Sequence, residues 1–320
     1  MKSTHNNTQI PRHDGYVHHT ETSSVHIPVL LEEIRNHLDL SPESIICDAT
    51  AGGGGHAYAL GSMLGADGML IACDQDSDAL ERTRERTQDL ACTVSLHNAN
   101  FRSLSDIFVS LDIECCNAFL FDLGWSSDQI ADPERGLSFM HNGPLHMTLK
   151  KNPQPEDITA FDVVNDWAEE TLADIIFAFG DERYARRIAK AIVAYRKDAT
   201  ITDTHTLVDI IKSSVPAGYR NGRIHPATKT FQALRIVVND EYGALKEGLR
   251  SAIDLLCPHG KIAVITFHSG EDRIVKQLFN EYKDAGEIIK INKKVIVPTR
   301  QEQQDNPRSR SAKLRIIQKL

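Results

Sequence analysis

The sequence predicts a doubly wound α/β sheet interrupted by a helical insertion. Three observations carry this reading. Through residues 26–126, short apolar runs ending in an acid or a glycine cluster alternate with helix-like segments, the pattern of a parallel sheet covered by helices. From about residue 127 to 222 the alternation lapses, and turns and helix patterns occur without a convincing buried strand. A further apolar run then follows at 261–268.

The elements follow in chain order. Residues 1–25 are polar, with His5, His13, His18 and His19. They contain no apolar signal core, and Asp14 and Glu21 argue against a transit peptide, so they read as a mobile tail. The His spacings match no ligand motif. Residues 45–49, 69–73, 93–96 and 118–121 are the first four strands, short and nearly continuously apolar, as strands buried on both faces are. Around Pro226 an amphipathic helix begins and runs to about residue 256, with Phe231, Leu234, Val238, Leu245 and Leu249 on or near one face, until Pro258-His259-Gly260 stops it. Residues 261–268 form the fifth strand, and 295–297 and 314–317 are candidate edge strands. The expected division is a sheet domain of 26–126 and 223–320 with an inserted helical substrate-recognition domain at 127–222.

Hydrophobic residues make up 41% of the 320, enough for a sizeable core. No apolar run approaches the ~20 residues of a membrane span. The six cysteines at 47, 73, 92, 115, 116 and 257 form no C-x-x-C pair. They are expected to be free in a reducing compartment, with no disulfide framework and no metal site. The net charge is −8, but it is unevenly spread. Between Arg183 and Arg235 eleven Lys or Arg face three Asp, a local +8, and the stretch from Asn306 to Leu320 adds five basic residues and no acid. An acidic body with localised basic surfaces still binds a polyanion.

Ligands of open α/β sheets bind beyond the carboxyl ends of the strands. Three acid-bearing strand ends meet there: Asp48 with Gly52, Gly53, Gly54 and Gly55; Asp74; and Asp122. The glycine turn allows close backbone approach to a ligand. An acid about 20 residues further on suits a ribose diol. These features point to a nucleotide-type cofactor and leave NAD and S-adenosylmethionine equally open; taken singly, Asp74 and Asp122 are also ordinary helix caps.

A set of ordered blocks decides between them: Gly54-Gly55-His56, Phe121-Asp-Leu-Gly-Trp-Ser-Ser127, Glu134-Arg-Gly-Leu-Ser-Phe139, Gly143-Pro-Leu145, Glu182-Arg-Tyr-Ala-Arg-Arg-Ile-Ala189, His225-Pro-Ala-Thr-Lys-Thr-Phe-Gln-Ala-Leu-Arg235, Phe267-His-Ser-Gly-Glu271 and Asn306-Pro-Arg-Ser-Arg-Ser-Ala-Lys-Leu-Arg315. Across residues 26–320 the chain resembles the bacterial small-subunit ribosomal RNA cytosine-N4 methyltransferases (methyltransferase H family). The resemblance implies a class I S-adenosylmethionine-dependent methyltransferase fold, a Rossmann-like sheet with an inserted helical domain. It implies S-adenosylmethionine as cofactor, a decoding-centre cytosine of 16S rRNA in the small ribosomal subunit as substrate, and a cytoplasmic setting away from membranes; a homodimer is left open. It assigns the cofactor to Gly54, Gly55, His56, Asp74, Phe101, Asp122 and Gln129. The chain departs from the family pattern at His146, Thr148 and Lys150, where two acids and an arginine are usual. It departs again at Gly53 (usually Arg), Trp125 (usually Val) and Gly270 (usually Leu).

The cytosine amino nitrogen is a poor nucleophile, and a carboxylate accepting one of its N–H bonds would favour a pyramidal, aligned nitrogen. Asp122 is the first catalytic candidate, alongside its cofactor role; His268 and Ser269 are second candidates for contacting the base, with a hydrogen-bonded turn as the alternative. Over residues 181–197 the helical period puts Arg183, Arg186, Arg187, Lys190 and Lys197 on one face without an acid. A face of one sign favours RNA phosphates, although charged faces are often merely solvated. Two other readings remain: a DNA amino-methyltransferase, against which Asp122-Leu-Gly-Trp125 lacks the usual paired prolines, and a ribosome-binding protein without catalysis.

Overall fold

The computed structural model describes residues 27–320; the tail expected at 1–25 lies outside them. Helix α1 (Leu31–Leu38) precedes β1 (Ile45–Asp48), α2 (Gly55–Gly61), β2 (Met69–Asp74), α3 (Ser77–Thr87), β3 (Thr93–Asn98), α4 (Leu104–Ser110) and β4 (Cys116–Asp122). The chain then leaves the sheet through α5 (Ser127–Ala131), α6 (Ala160–Asp166), α7 (Glu169–Gly180), α8 (Ala185–Tyr195), α9 (Thr204–Ser214) and α10 (Ala217–Arg220). It returns through α11 (Thr228–Val238) and α12 (Glu241–Asp254) to β5 (Leu256–Thr266), α13 (Ser269–Asp284), β6 (Ile288–Lys290), α14 (Arg300–Asp305) and β7 (Lys313–Lys319).

The seven strands form one sheet in the order β3-β2-β1-β4-β5-β7-β6. The first five are parallel, and β7 runs antiparallel to both β5 and β6. Alternation along each strand divides the core. Phe119, Phe121, Ile262 and Val264 pack against α4, α12 and α13, whereas Leu120, Ala263 and Ile265 pack with α1 and α2. A separate apolar cluster joins α6, α7, α8 and α9 and takes in Phe231 and Leu234 from α11. The strand order reverses between β1 and β4, so a crevice opens beyond Asp48 and Asp122.

The structure corrects the sequence reading at four places. The helix expected from Pro226 to residue 256 is two helices, broken at Asn239 and Asp240, where Asp240 takes φ 44°. The side chain of Asn239 accepts from Leu149 N–H at 2.8 Å and donates to the Met147 carbonyl at 2.8 Å, so contacts with the insertion replace helical continuity. The strand near 295–297 reduces to a single bridge between Ile296 and Leu314, and the edge strand is β6. Helix α8 covers only part of 181–197, with Arg183 and Lys197 in the flanking turns. Finally, the cysteines are not all free. Cys115, just before β4, and Cys257, near the start of β5, form a disulfide with Cα atoms 5.1 Å apart. Neighbouring parallel strands bring together residues 142 apart in sequence, a proximity that no local spacing reveals. Cys47, Cys73, Cys92 and Cys116 are buried thiols.

Candidate active site

The glycine turn after β1 is shaped by backbone need. Gly52 has φ 53° and Gly54 φ 73°, values that side chains rarely adopt. A Cβ on Gly54 would also stand 2.9 Å from Thr83 Cα, so the turn lies directly on α3. Gly53 differs: a Cβ there meets open space, so nothing steric requires glycine at this position.

Asp74 ties this turn to β2. Its two carboxylate oxygens accept from Gly52 N–H and Asp76 N–H, both at 2.9 Å. Asp76 in turn caps α3 and is fully buried. It accepts from Gln129 Nε2 at 3.0 Å and pairs with Arg135 Nη2 at 2.8 Å. Gln129 is therefore occupied at both ends, since its carbonyl oxygen accepts from Ser126 N–H at 3.0 Å to close the capping box of α5. It reaches the cleft as wall, with its amide already satisfied.

These groups border a cleft of about 340 Å³. Gly52, Gly53, Gly55, His56, Asp74, Phe101, Asp122 and Gln129 line it, so the structure brings the expected cofactor residues to one place; Gly54 shapes the turn without facing the cleft. Phe101 packs edge-on against Phe121 at 5.6 Å and offers its remaining surface to the cavity. The side chains of His56 and Asp122 approach to 3.6 Å (Nε2 to Oδ2). Asp122 Oδ1 is buried without a hydrogen-bond partner among the described residues.

The strand-end carboxyls share one electrostatic condition. Burial, reinforced by Asp48 and Glu271, pushes Asp122 up to about 8. Burial likewise raises Asp48 to about 7, against the Thr50 N–H that holds it down and with the Asp74 charge adding to the rise. Asp74 rises to about 6 by burial, although the Asp76 and Gly52 N–H groups oppose it. Three acids short of positive charge beside a glycine turn suit a cationic nucleoside such as a sulfonium. The orphaned oxygen of Asp122 is an acceptor available to an N–H or O–H donor of a ligand.

The far wall combines His268, already a candidate from the sequence, with residues to which the sequence assigned no role. Arg235 is buried and forms a two-pronged pair with Glu241 at 2.6 and 2.8 Å. Its guanidinium carbon lies 3.6 Å from the centre of the Trp125 ring. Glu271 is buried; burial pushes its carboxyl up, but His268, the Phe267 N–H and Arg235 outweigh that and leave it below the usual range. His268 caps α13, its Nδ1 accepting from Glu271 N–H at 3.4 Å and its Nε2 lying 3.0 Å from Glu271 Oε1. The imidazole thus borders the cleft with both nitrogens turned to Glu271. Glu241, His268 and Glu271 place ligand-type atoms within 4.8 Å of one another, with Arg235 and the helix cap serving as their partners. The Phe267-His-Ser-Gly-Glu271 block and the block ending at Arg235 both gave a signal for this wall; Glu241 lies beyond the unforeseen helix break.

The segment where the chain departs from its relatives is packed, not frayed. Leu145, Met147 and Thr148 are buried, and Lys150 pairs with Asp157 at 2.5 Å. Outside the cleft, Arg183, Arg186, Arg187, Lys190 and Lys197 are all exposed. Arg183 lies over the rings of Tyr184 and Tyr219 at 4.8 and 5.1 Å, and Arg187 lies over Tyr184 at 5.9 Å.

A family model described as the MraW methylase family matches residues 23–320. A protein of Paenibacillus sp. (strain JDR-2), called ribosomal RNA small subunit methyltransferase H, is 42% identical over 316 residues, covering 92% of this chain and 99% of that one. A protein of Brevibacillus brevis with the same name is 41% identical over 316 residues, covering 94% and 100%. Among solved structures, an rRNA methylase from Streptococcus thermophilus aligns over 91% of this chain and 92% of its own, with a TM-score of 0.41 at 14% identity. Among the described residues no helix is long and apolar enough to cross a membrane.

Proposed function

The chain belongs to the MraW methylase family, and from that premise we propose that it methylates the exocyclic N4 of a decoding-centre cytosine in 16S rRNA of the small ribosomal subunit. The coarser activity, methyl transfer to ribosomal RNA, is the one its relatives are named for. The cofactor is S-adenosylmethionine, which supplies an electrophilic methyl on a sulfonium. The observation that carries the reading is the meeting of Asp48, Asp74 and Asp122 at the glycine turn, each held above its ordinary range.

The chain's own groups divide the work. Gly52, Gly53 and Gly55 let the backbone come close to a nucleoside, Asp74 is placed for its ribose, and Phe101 for its base. Asp122 is the catalytic carboxylate. A positive charge beside it favours its ionised form, and Oδ1 then accepts an N–H of the cytosine amino group. That bond withdraws the nitrogen lone pair from the ring and aims it, and as the nitrogen takes the methyl its shared proton passes to the Asp122 carboxylate. His56, 3.6 Å away, steadies the carboxylate. His268 holds Glu271 and closes the wall. The exposed Arg183, Arg186, Arg187, Lys190 and Lys197 take the RNA backbone. The insertion at 127–222 presents that surface.

The test is nucleoside mass spectrometry of 16S rRNA after incubation of the purified protein with small subunits and methyl-labelled cofactor. The expected product is N4-methylcytosine, and single-turnover transfer by Asp122→Asn at saturating cofactor should be ~10²–10³ slower. Label on cytosine C5 or on adenine overturns the reading.

A further inference from the structure

We propose that Trp125 is the platform on which the target base stacks once it has left its RNA helix. This deepens the function proposed above and rests on it. Trp125 follows the turn through Asp122 and Gly124, where Gly124 has φ 120°, and precedes Ser126, the cap of α5. The turn is thereby fixed on both sides. The indole lines the cleft and yet is 41% exposed, an unusual state for the largest apolar side chain.

One ring face has a built backing. The guanidinium of Arg235 lies 3.6 Å from the ring centre and is itself only 4% exposed. Glu241 grips it with two hydrogen bonds, at 2.6 and 2.8 Å. A buried, charge-paired cation against the ring resists rotation of the indole and adds a cation–π attraction. The exposed remainder of the ring is the surface left for a ligand. A rigid aromatic plane with one pinned face recognises a flat, unpaired ring, and every nucleobase has such a face.

Position separates this platform from the adenine site. Phe101 and Asp74 lie toward the β2 and β3 end of the cleft, whereas Trp125 follows β4, three residues after Asp122. A base held on Trp125 is therefore near the carboxylate assigned to the amino group. Exposure at the mouth also suits a group that must arrive from outside on an RNA strand.

The first experiment titrates a single-stranded RNA hexanucleotide containing one cytosine, up to ~1 mM, in the presence of saturating S-adenosylhomocysteine. Tryptophan fluorescence of the wild-type protein should be quenched, and Trp125→Phe should lose that quench although Trp167 remains. The second experiment measures single-turnover methylation against small-subunit concentration. Trp125→Ala should raise the half-saturating concentration about 5- to 150-fold, the span of one stacked base. Trp125→Phe should stay within about threefold, and calorimetric affinity for S-adenosylmethionine should be unchanged in both. No quench in the wild type, or equal half-saturation in Trp125→Ala and Trp125→Phe, overturns the platform. A fall in cofactor affinity with intact RNA dependence assigns the indole to the cofactor instead and also overturns it. If the wild-type protein methylates no small subunit, the function fails, and the fluorescence titration still decides the platform.

Discussion

Arg135 Nη2 lies 2.8 Å from Asp76 Oδ2, and both side chains are buried. The arginine belongs to the segment after β4 and the aspartate to the turn after β2. Asp76 gives its N–H to Asp74, so the pair joins the segment after β4 to the acid that holds the glycine turn. Arg135 also donates to the Leu149 carbonyl at 3.1 Å, extending the link into the segment where the chain departs from its relatives.

Breaking this pair should be costly. Arg135→Ala leaves Asp76 buried with only its Gln129 and Asp78 donors. Loss of one partner of a buried pair costs about 3–5 kcal/mol, and the remaining donors place this case near the lower end. Denaturant unfolding is the measurement. Asp76→Asn added to Arg135→Ala should recover part of the loss, because the uncompensated charge has gone. A stability change below about 0.5 kcal/mol in Arg135→Ala would show that the pair is dispensable.

The raised acids predict a pH dependence with a definite sign. In the ligand-free chain Asp74, Asp48 and Asp122 titrate at about 6, 7 and 8, above their unfolded values. Their stabilising contribution is present at low pH and is lost as pH rises through 6 to 8. Glu271 and Asp272 are held low and act oppositely, in acid. Unfolding free energy should therefore fall between about pH 4, the unfolded value, and about pH 8, the highest folded value, and less steeply in Asp122→Asn. Cofactor binding should release protons near pH 7, with affinity rising by up to about tenfold per pH unit for each proton displaced. S-adenosylhomocysteine, without the sulfonium charge, should show a weaker dependence. Calorimetry in buffers of different ionisation enthalpy reads the proton count; equal counts for the two ligands would contradict the scheme.

Gly270 and Tyr242 form a matched pair. A Cβ at Gly270 would fall 1.7 Å from the tyrosine hydroxyl and 2.7 Å from its ring carbon. Tyr242 is fixed by its edge-on contact with Phe179 at 5.4 Å. Gly270→Leu should destabilise by ~1–3 kcal/mol through overpacking, and Tyr242→Leu should restore much of that loss. A double-mutant cycle with coupling under ~0.5 kcal/mol would separate the two positions.

The basic face should govern RNA affinity without touching the cofactor. Replacing Arg183, Arg187 and Lys190 with Glu should weaken small-subunit binding and flatten its salt dependence by about one unit per lost phosphate contact. Filter binding across a salt series checks this. An unchanged slope would mean that the face is merely solvated. Because Arg183 and Arg187 both rest on Tyr184, a Tyr184→Leu control, which removes the ring and keeps both charges, separates ring packing from charge.

The sheet was legible because β1, β2 and β4 are buried on both faces and read as unbroken apolar runs ending in Asp48, Asp74 and Asp122. The start of β5 was hidden by Pro258, His259 and Gly260, which look like a helix stop and yet lie within the strand. Strand β6 has three residues, too few for a period. The break between α11 and α12 was invisible because the apolar stripe continues through it; the partners of Asn239 lie some ninety positions away. The pairing of Arg235 with Glu241 was hidden by the same unforeseen break, which lies between them, whereas the glycine turn and its acids are local in sequence and could be seen. Gln129 was visible as a cleft residue but not as the internally bonded cap it forms, whereas for His268 the hydrogen-bonded turn held as the alternative is the arrangement found.

The bond between Cys115 and Cys257 ties the chain just before β4 to the start of β5. Everything between those points, the helical insertion included, forms a covalent ring. A protease that nicked an exposed loop of the insertion would leave both fragments on one molecule, migrating as a single chain until a reductant parted them.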